Sequence, residues 1–384
     1  MKRKALWISI IGILLIGFVC LFCYRHYIRQ KQIEQKKHTG LVSEDFPVQD
    51  IKHQSKNIYE DAYQTEADNQ LQNMRNNNSY TIEDPLVVWN PYGTNTGSFY
   101  YYGVSEQDSY VVCEVTCNNG SVIKHRLKND SDSGVTKTHE YLITGLAPGL
   151  ENHFSLAFYD AGNNLIHTYQ YTVTLKKDKQ IPAITKVEKG NSKSSLTDGL
   201  FAVLGHDKSK AKNIYYYDNN GICRGKTPLN DYRTDRILTI DGKLVYSYSL
   251  TDIAFVNRLG KVEKTLSLGK YELHHDFMYD EKRNELLCLV NDTDKDTIED
   301  VLISVNIETG KIKKLVDFEK MMKSMRKRSV QRKGGKNTYG GTELDWLHLN
   351  SLDMINDKDA VFSSREESVI IKINNIYENP SIDY

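Results

Sequence analysis

The C-terminal part of the sequence holds a set of nitrogen-bearing side chains that could bind a small oxyanion. In the stretch 345–350 (DWLHLN), Trp346, His348 and Asn350 share one face if the chain is extended, because strand side chains alternate with period two. Arg365 follows at the end of a predicted strand, where a long cation can reach over a sheet edge. Imidazole, amide and guanidinium groups together can donate hydrogen bonds to an oxyanion. A polar strand face with an arginine in a turn is the alternative interpretation.

Two histidines occupy equivalent positions in a repeated pattern. His275 precedes Asp280 by five residues, His348 precedes Asp353 by five residues, and a predicted strand follows each. In a β-propeller the innermost strands line the central channel, so we expect both rings to face one axis. The alternation along the first strand favours His275 over the adjacent His274. A hydrogen-bonded histidine at a strand start is the alternative for each position.

The elements that would position these residues are predicted to be strands. The chain has 384 residues, which is room for two or three domains. It contains 25 tyrosines, and Asn, Asp and Gly recur between short apolar runs, so an all-β protein is favoured. The formal net charge is zero, so nothing global indicates a nucleic-acid partner. The sequence has no nucleotide-binding fingerprint and no Cys/His group with zinc spacing, so we expect no cofactor and no metal.

Two regions with different strand patterns follow each other. Seven short strands are predicted between residues 86 and 175, which indicates a β-sandwich. From residue 183 onward the pattern is one of hairpins, and the glycines of their turns, Gly221, Gly260 and Gly310, are spaced 39 and 50 residues apart. Repeats of this length, each made of short strands, are typical of propeller blades.

An apolar run near the start predicts a membrane anchor. Residues 5–22 contain one clearly polar side chain, Ser9, and three basic residues precede them. The length suits a transmembrane helix, and no signal-peptidase site follows, so we expect an uncleaved anchor. The predicted organisation is a membrane anchor, a polar linker or stalk helix, a sandwich and a propeller. The respective bounds are 1–30, 31–82, 83–178 and 179–384.

Together these residues resemble the bacterial arylsulfate sulfotransferase family. Residues 90–93 (NPYG) and the strands after them are similar to the N-terminal, Ig-like domain of that family. Residues 274–277 (HHDF), 345–350 (DWLHLN) and 363–365 (SSR) look like its active-site motifs. The resemblance extends from about Pro85 to the end of the chain, and the three motifs in this order are specific to the family.

The resemblance implies a six-bladed propeller that transfers a sulfuryl group from an aryl sulfate to a phenolic acceptor. No nucleotide takes part, and the group travels through a sulfohistidine. By motif match, His275, His348 and Arg365 would hold the sulfuryl oxygens, and Asn350 would assist. His274 and Trp346 lie in the same motifs and are assigned to substrate binding.

The sequence departs from the family at one important point. The family's sulfated nucleophile is a further histidine in a later blade, and no histidine follows His348 here. Residues 183–384 also hold only about four blades by the repeat length. We therefore expect a propeller that is incomplete at its C-terminus, and a chain that does not turn over aryl sulfates by itself.

The alternative function is that of a non-catalytic, membrane-anchored propeller that binds a ligand or a protein partner. The absence of the later histidine favours it, whereas the joint presence of His275, His348, Asn350 and Arg365 favours the enzyme. In either case we expect a single-pass protein of the cell membrane with its body outside the cytoplasm. A homodimer is the oligomer that we consider for this protein.

Overall fold

The computed structural model describes residues 48–117, 122–131, 133–175, 177–181, 188, 190–191, 199–205, 212–231, 234–331, 335–337 and 341–383. Across these residues the protein consists mainly of antiparallel strands, as the sequence predicts. The predicted anchor at 1–30 lies outside the described residues. Within the described part of the chain, no helix is long and apolar enough to cross a membrane.

A helix, α1 (Asp61–Asn77), precedes the first strands. It buries Gln64, Ala67 and Leu71, which follow one another at the three- and four-residue spacing of one helix face. Ala67 and Leu71 pack in one apolar cluster with Tyr92 and Tyr100. The helix predicted for this region therefore lies against the strands that follow it.

The next six strands enclose one apolar core. They are β1 (Leu86–Trp89), β2 (Ser98–Cys117), β3 (Val122–Arg126), β4 (Thr136–Thr144), β5 (Glu151–Tyr159) and β6 (Leu165–Thr174). The first half of β2 pairs with β1 and β4, and its second half pairs with β3 and β5. Phe99, Tyr141, Phe154 and Tyr171 belong to the core between the two groups.

The long strand β2 corrects one prediction. The sequence predicts two strands here, at 98–102 and 110–117, separated by the mainly polar residues 103–109 (GVSEQDS). Instead the strand continues, and its register with β4 shifts between Val104 and Ser109. A bulge of this kind lets a strand bend without ending, so β2 belongs to both groups of strands.

The second half of the chain forms successive antiparallel sheets. These are β7 (Phe201–Val203), β8 (Asn213–Tyr217) and β9 (Cys223–Pro228); β10 (Ile237–Ile240), β11 (Lys243–Ser247), β12 (Asp252–Val256) and β13 (Val262–Ser267); β14 (Tyr271–Asp280), β15 (Glu285–Asp292), β16 (Val301–Asn306) and β17 (Ile312–Asp317); and β18 (Leu349–Met354), β19 (Ala360–Ser364), β20 (Val369–Asn374) and β21 (Ser381–Ile382). Two short helices, α2 (Phe318–Met321) and α3 (Lys323–Arg328), follow β17.

These sheets pack face to face, as the blades of a propeller do. Strand β15 shows this clearly, because both of its faces are buried. Leu286 and Cys288 point into the cluster shared with the preceding sheet, which includes Phe255. Leu287 points into the cluster shared with the following sheet, which includes Phe362.

Arg224 of β9 joins the first group of strands to the sheets that follow. Its guanidinium is fully buried and pairs with Asp218 at 2.6 Å. It also donates to the carbonyl oxygen of Gly145 at 2.7 Å and to Cys117 Sγ at 2.6 Å. The backbones approach closely here, since a Cβ added to Gly97 would lie 1.9 Å from the carbonyl oxygen of Arg224.

His139 of β4 makes the stability of this region depend on pH. Its buried ring lies 3.0 Å from Ser105 Oγ, 3.1 Å from Ser109 Oγ and 3.0 Å from the Tyr141 hydroxyl. Burial lowers its pKa from 6.5 to about 4. The unfolded state therefore binds more protons between these values, and stability that is present above pH 6.5 is lost as the pH falls towards 4.

We expect the free energy of unfolding to fall by about 2 kcal/mol between pH 7.5 and pH 5 because of this group. Urea unfolding at the two pH values measures the change. The variant His139→Gln keeps a polar side chain that does not titrate in this range, so its loss should be smaller. An equal loss in the variant would show that other groups cause the pH dependence.

Candidate functional site

His275 and His348 meet where two neighbouring sheets face each other. His275 lies in β14, and His348 immediately precedes β18. Their Nε2 atoms are 2.9 Å apart and their ring centroids 4.9 Å apart. The structure thus brings together the two rings that the repeated spacing placed on one axis.

The backbone at this site adopts a conformation that side chains other than glycine rarely take. The φ angles of His275, His348 and Glu299 are +55°, +50° and +58°. Each such residue costs about 1–3 kcal/mol, and such residues cluster at functional sites. The register of β14 with β15 shifts around His275, between Leu273 and Phe277, which accommodates the turn of the chain.

This backbone overturns the expectation that Trp346, His348 and Asn350 share one face. Residues 346–347 form a bend, and the strand begins only at Leu349. Trp346 is buried and its Nε1 donates to Asp300 Oδ2 at 2.9 Å, whereas Asn350 is exposed. The positive φ of His348 interrupts the two-residue alternation, so the three side chains separate.

Two buried carboxylates hold the other side of the His348 ring. Its Nδ1 lies 2.9 Å from Asp345 Oδ1 and also contacts Glu299 Oε2. Both carboxylates are fully buried. Burial lowers the pKa of His348, but the hydrogen bonds to Asp345 and Glu299 outweigh this effect, and the pKa lies above its usual value. The Nε2 atom is left facing His275.

Glu299 was not identified from the sequence. It lies in the acidic segment 291–300, whose sequence is typical of a hairpin loop. No local pattern distinguishes Glu299 from the other acidic residues of this segment. Its Oε1 is 3.8 Å from His275 Nε2, while its Oε2 faces His348. One carboxylate therefore lies between both histidines.

Arg365 reaches the site through Asp345. It follows β19, and its backbone N–H donates to the carbonyl oxygen of His348 at 3.0 Å. Its Nη2 donates to Asp345 Oδ2 at 3.2 Å and to Glu366 Oε1 at 2.7 Å. The side chain is 38% exposed, so solvent and small ligands can approach the guanidinium.

His274 is buried next to His275 and lines a cavity. The cavity of about 430 Å³ is also lined by Glu272, Asn291 and Thr297. The ring of His274 is 5.6 Å from that of His275, centroid to centroid. Burial lowers the pKa of His274 to about 3, so the ring is neutral near pH 7.

Comparison with known proteins gives one informative match. The sequence model of a family described as Arylsulfotransferase (ASST) matches residues 185–384. No match was found among curated proteins.

Solved structures give only weak similarities. Sqt1 of Saccharomyces cerevisiae is 10% identical, with 73% of this chain and 68% of that chain covered and a TM-score of 0.28. Glutaminyl cyclase of Myxococcus xanthus is 9% identical, with 60% and 84% covered and a TM-score of 0.27. The Cps50 (Swd1) β-propeller domain of Myceliophteria thermophila is 10% identical, with 80% and 86% covered and a TM-score of 0.30. Similarities this low carry no argument about function.

Proposed function

Since the chain belongs to the arylsulfotransferase family, we propose that its site binds an aryl sulfate for transfer of the sulfuryl group to a phenolic acceptor. In this reaction the bond between sulfur and the phenolic oxygen breaks as the sulfur bonds to a histidine nitrogen, and the nitrogen–sulfur bond then breaks as the acceptor phenol gives up its proton and takes the group. By the resemblance that nitrogen belongs to a histidine of a later blade, and no histidine follows His348 in this sequence. The released phenolate takes up a proton. No nucleotide is needed. The observation that carries the proposal is the His275–His348 contact, backed by two buried carboxylates.

The arrangement suits a group whose charge lies on its peripheral oxygens. Sulfuryl transfer resembles phosphoryl transfer, in which the protein mainly positions the group and neutralises its charge. The Nε2 atoms of His275 and His348 are 2.9 Å apart and contact each other directly, so the two rings have to separate before a sulfuryl oxygen can accept a hydrogen bond from both. Asp345 and Glu299 fix the ring of His348 from behind, which aims its Nε2 at the incoming oxygen. An imidazole in this position can also protonate the leaving phenolate.

Arg365 tests whether the site takes a sulfated ligand. We expect Arg365→Ala to weaken the binding of 4-nitrophenyl sulfate about 10–100-fold, because hydrogen bonds to charged groups contribute roughly 1.5–3 kcal/mol. Arg365→Lys should recover only part of the affinity, since lysine lacks the planar, two-pronged donor. Isothermal titration calorimetry on the purified chain measures both.

Arg126→Ala is the control and should bind normally. Arg126 is an exposed residue of β3, more than 200 residues before Arg365 in the sequence. Equal affinities of wild type and Arg365→Ala would contradict the assigned role of Arg365. A wild-type chain that binds no aryl sulfate would favour the alternative function, a non-catalytic propeller that binds a ligand or a protein.

Two further proposals concern the organisation of the chain. We propose that residues 83–178 form a separate β-sandwich domain and that residues 179–384 form blades of the family's six-bladed propeller. Limited proteolysis should then cut the Lys-rich linker at residues 176–179. We also propose that residues 1–30 anchor the protein in the cell membrane with its body outside the cytoplasm. Protease added to intact cells should then degrade the body, and protection of the body would contradict this orientation.

A further inference from the structure

Three side chains of the site form a donor set for a metal ion. His274, His275 and Glu299 each offer one ligand atom, and these atoms all lie within 4.8 Å of one another. Two imidazole nitrogens and one carboxylate oxygen are a ligand set of zinc sites that keep a fourth position for water or substrate. We propose that these three residues bind a divalent transition-metal ion, with Zn²⁺ as the first candidate.

The backbone is arranged so that these donors converge. Adjacent residues of a regular strand point to opposite faces of the sheet. His274 and His275 depart from this rule, because the left-handed φ of His275 turns its ring towards the same point. Glu299, which comes from another segment, also has a left-handed φ. Two of the three proposed ligands thus occupy an unfavourable backbone conformation in the geometry that brings them together.

His274 supplies an independent observation. The residue is only 5% exposed. Neither ring nitrogen has a hydrogen-bond partner among the residues that the structure describes. The carbonyl of Val290 lies near enough to influence the ring. Histidines that bind a metal through one nitrogen commonly place the other nitrogen near a backbone carbonyl or a carboxylate. A metal ion would therefore give this buried ring the partner that polar groups in protein interiors normally have.

The surroundings fit a metal centre. Zinc–nitrogen bonds of about 2.0–2.1 Å place tetrahedral ligand atoms roughly 3.3 Å apart, so the three atoms have to draw together by at most about 1.5 Å. Rotation of the side chains can provide this movement. His275 Nε2, which is 3.8 Å from Glu299 Oε1, gives up its 2.9 Å contact with His348 when it turns to the ion. The second carboxylate oxygen of Glu299 contacts His348 Nδ1. The same nitrogen also contacts Asp345. Such outer contacts orient the ligands of many metal sites.

Metal binding to the purified, chelator-treated full-length chain tests the proposal. Competition with a chromophoric chelator should give one Zn²⁺ per chain, and His274→Ala and Glu299→Gln should each weaken the affinity at least about 100-fold, because even outer-contact changes cost 10–100-fold. His153→Ala, which alters a half-exposed histidine of β5, should bind zinc normally. Arg365→Ala should also retain zinc, which separates this site from the test of sulfate binding. No zinc binding, or unchanged affinity in both ligand variants, would overturn the proposal.

A second measurement decides the matter if circular dichroism shows that the variants do not fold. X-ray absorption of the zinc-loaded wild-type chain should show nitrogen and oxygen neighbours at about 2.0–2.2 Å, with the multiple scattering of imidazole. A sulfur shell at about 2.3 Å would assign the ion to the buried cysteines and overturn the proposal. A spectrum without imidazole scattering would overturn it as well.

Discussion

Replacing His348 by alanine is expected to weaken the binding of 4-nitrophenyl sulfate at least about 100-fold. The change removes the Nε2 donor that faces the proposed sulfuryl position, 2.9 Å from the Nε2 of His275. It also leaves the buried carboxylates of Asp345 and Glu299 without the imidazole that they hold. Without the imidazole these two negative charges stand beside the proposed position of the sulfuryl group and repel an anion, which is why this effect should exceed that of Arg365→Ala.

Titration calorimetry of the wild type and the variant measures this loss. Asp353→Ala is a suitable control, because Asp353 lies in β18, the strand that follows His348, and has an exposed side chain. The control should bind like the wild type. If a folded His348→Ala protein binds the aryl sulfate with undiminished affinity, His348 does not contribute to the sulfate site.

The largest effect on stability is expected for Arg224→Ala, with a loss of about 3–5 kcal/mol in the free energy of unfolding. The substitution leaves Asp218, whose side chain is only 2% exposed, as a buried charge without its ion-pair partner. It also removes the donors to the Gly145 carbonyl and Cys117. Because these contacts join strands β1–β6 to the first sheet of the second half, both parts should unfold more easily.

Urea unfolding at neutral pH measures the change. Asp130→Ala breaks an exposed ion pair with Arg258 and should cost no more than about 1 kcal/mol. The double variant Arg224→Met/Asp218→Leu should recover most of the stability, because replacing a buried ion pair with apolar side chains is often neutral or stabilising. A loss below about 1 kcal/mol in Arg224→Ala would mean that the buried pair is not important for stability.

The strands could be predicted largely from local pattern. Short apolar runs bounded by turn residues predict strands at 86–89, 360–364 and 369–373. Strands β1 and β19 have these bounds, and β20 begins at the predicted residue. The prediction was wrong at residues 103–109, where a polar run was interpreted as a turn. Pairing with β4 and a bulge keep this segment within β2, and such tertiary pairing leaves no mark in the local sequence.

The site could be predicted only in part. The repeated spacing placed His275 and His348 together, because equivalent residues of neighbouring sheets approach each other. Glu299 could not be found in this way, since it lies between β15 and β16, where the local sequence has no pattern that distinguishes it. The positions of Trp346 and Asn350 were misjudged, because a left-handed φ at His348 cannot be read from residue types.

The left-handed backbone at His275, His348 and Glu299 means that the proposed functional side chains of this region occupy positions that lower the free energy of unfolding. Glycine adopts such angles without steric cost, so replacing any of the three by glycine relieves backbone strain while it deletes a functional side chain. A selection for heat resistance alone is therefore most liable to erase His275, because glycine at His348 or Glu299 would also break the buried contact between these two side chains. Engineering of this protein has to hold these three positions fixed and seek stabilising changes elsewhere in the sheets.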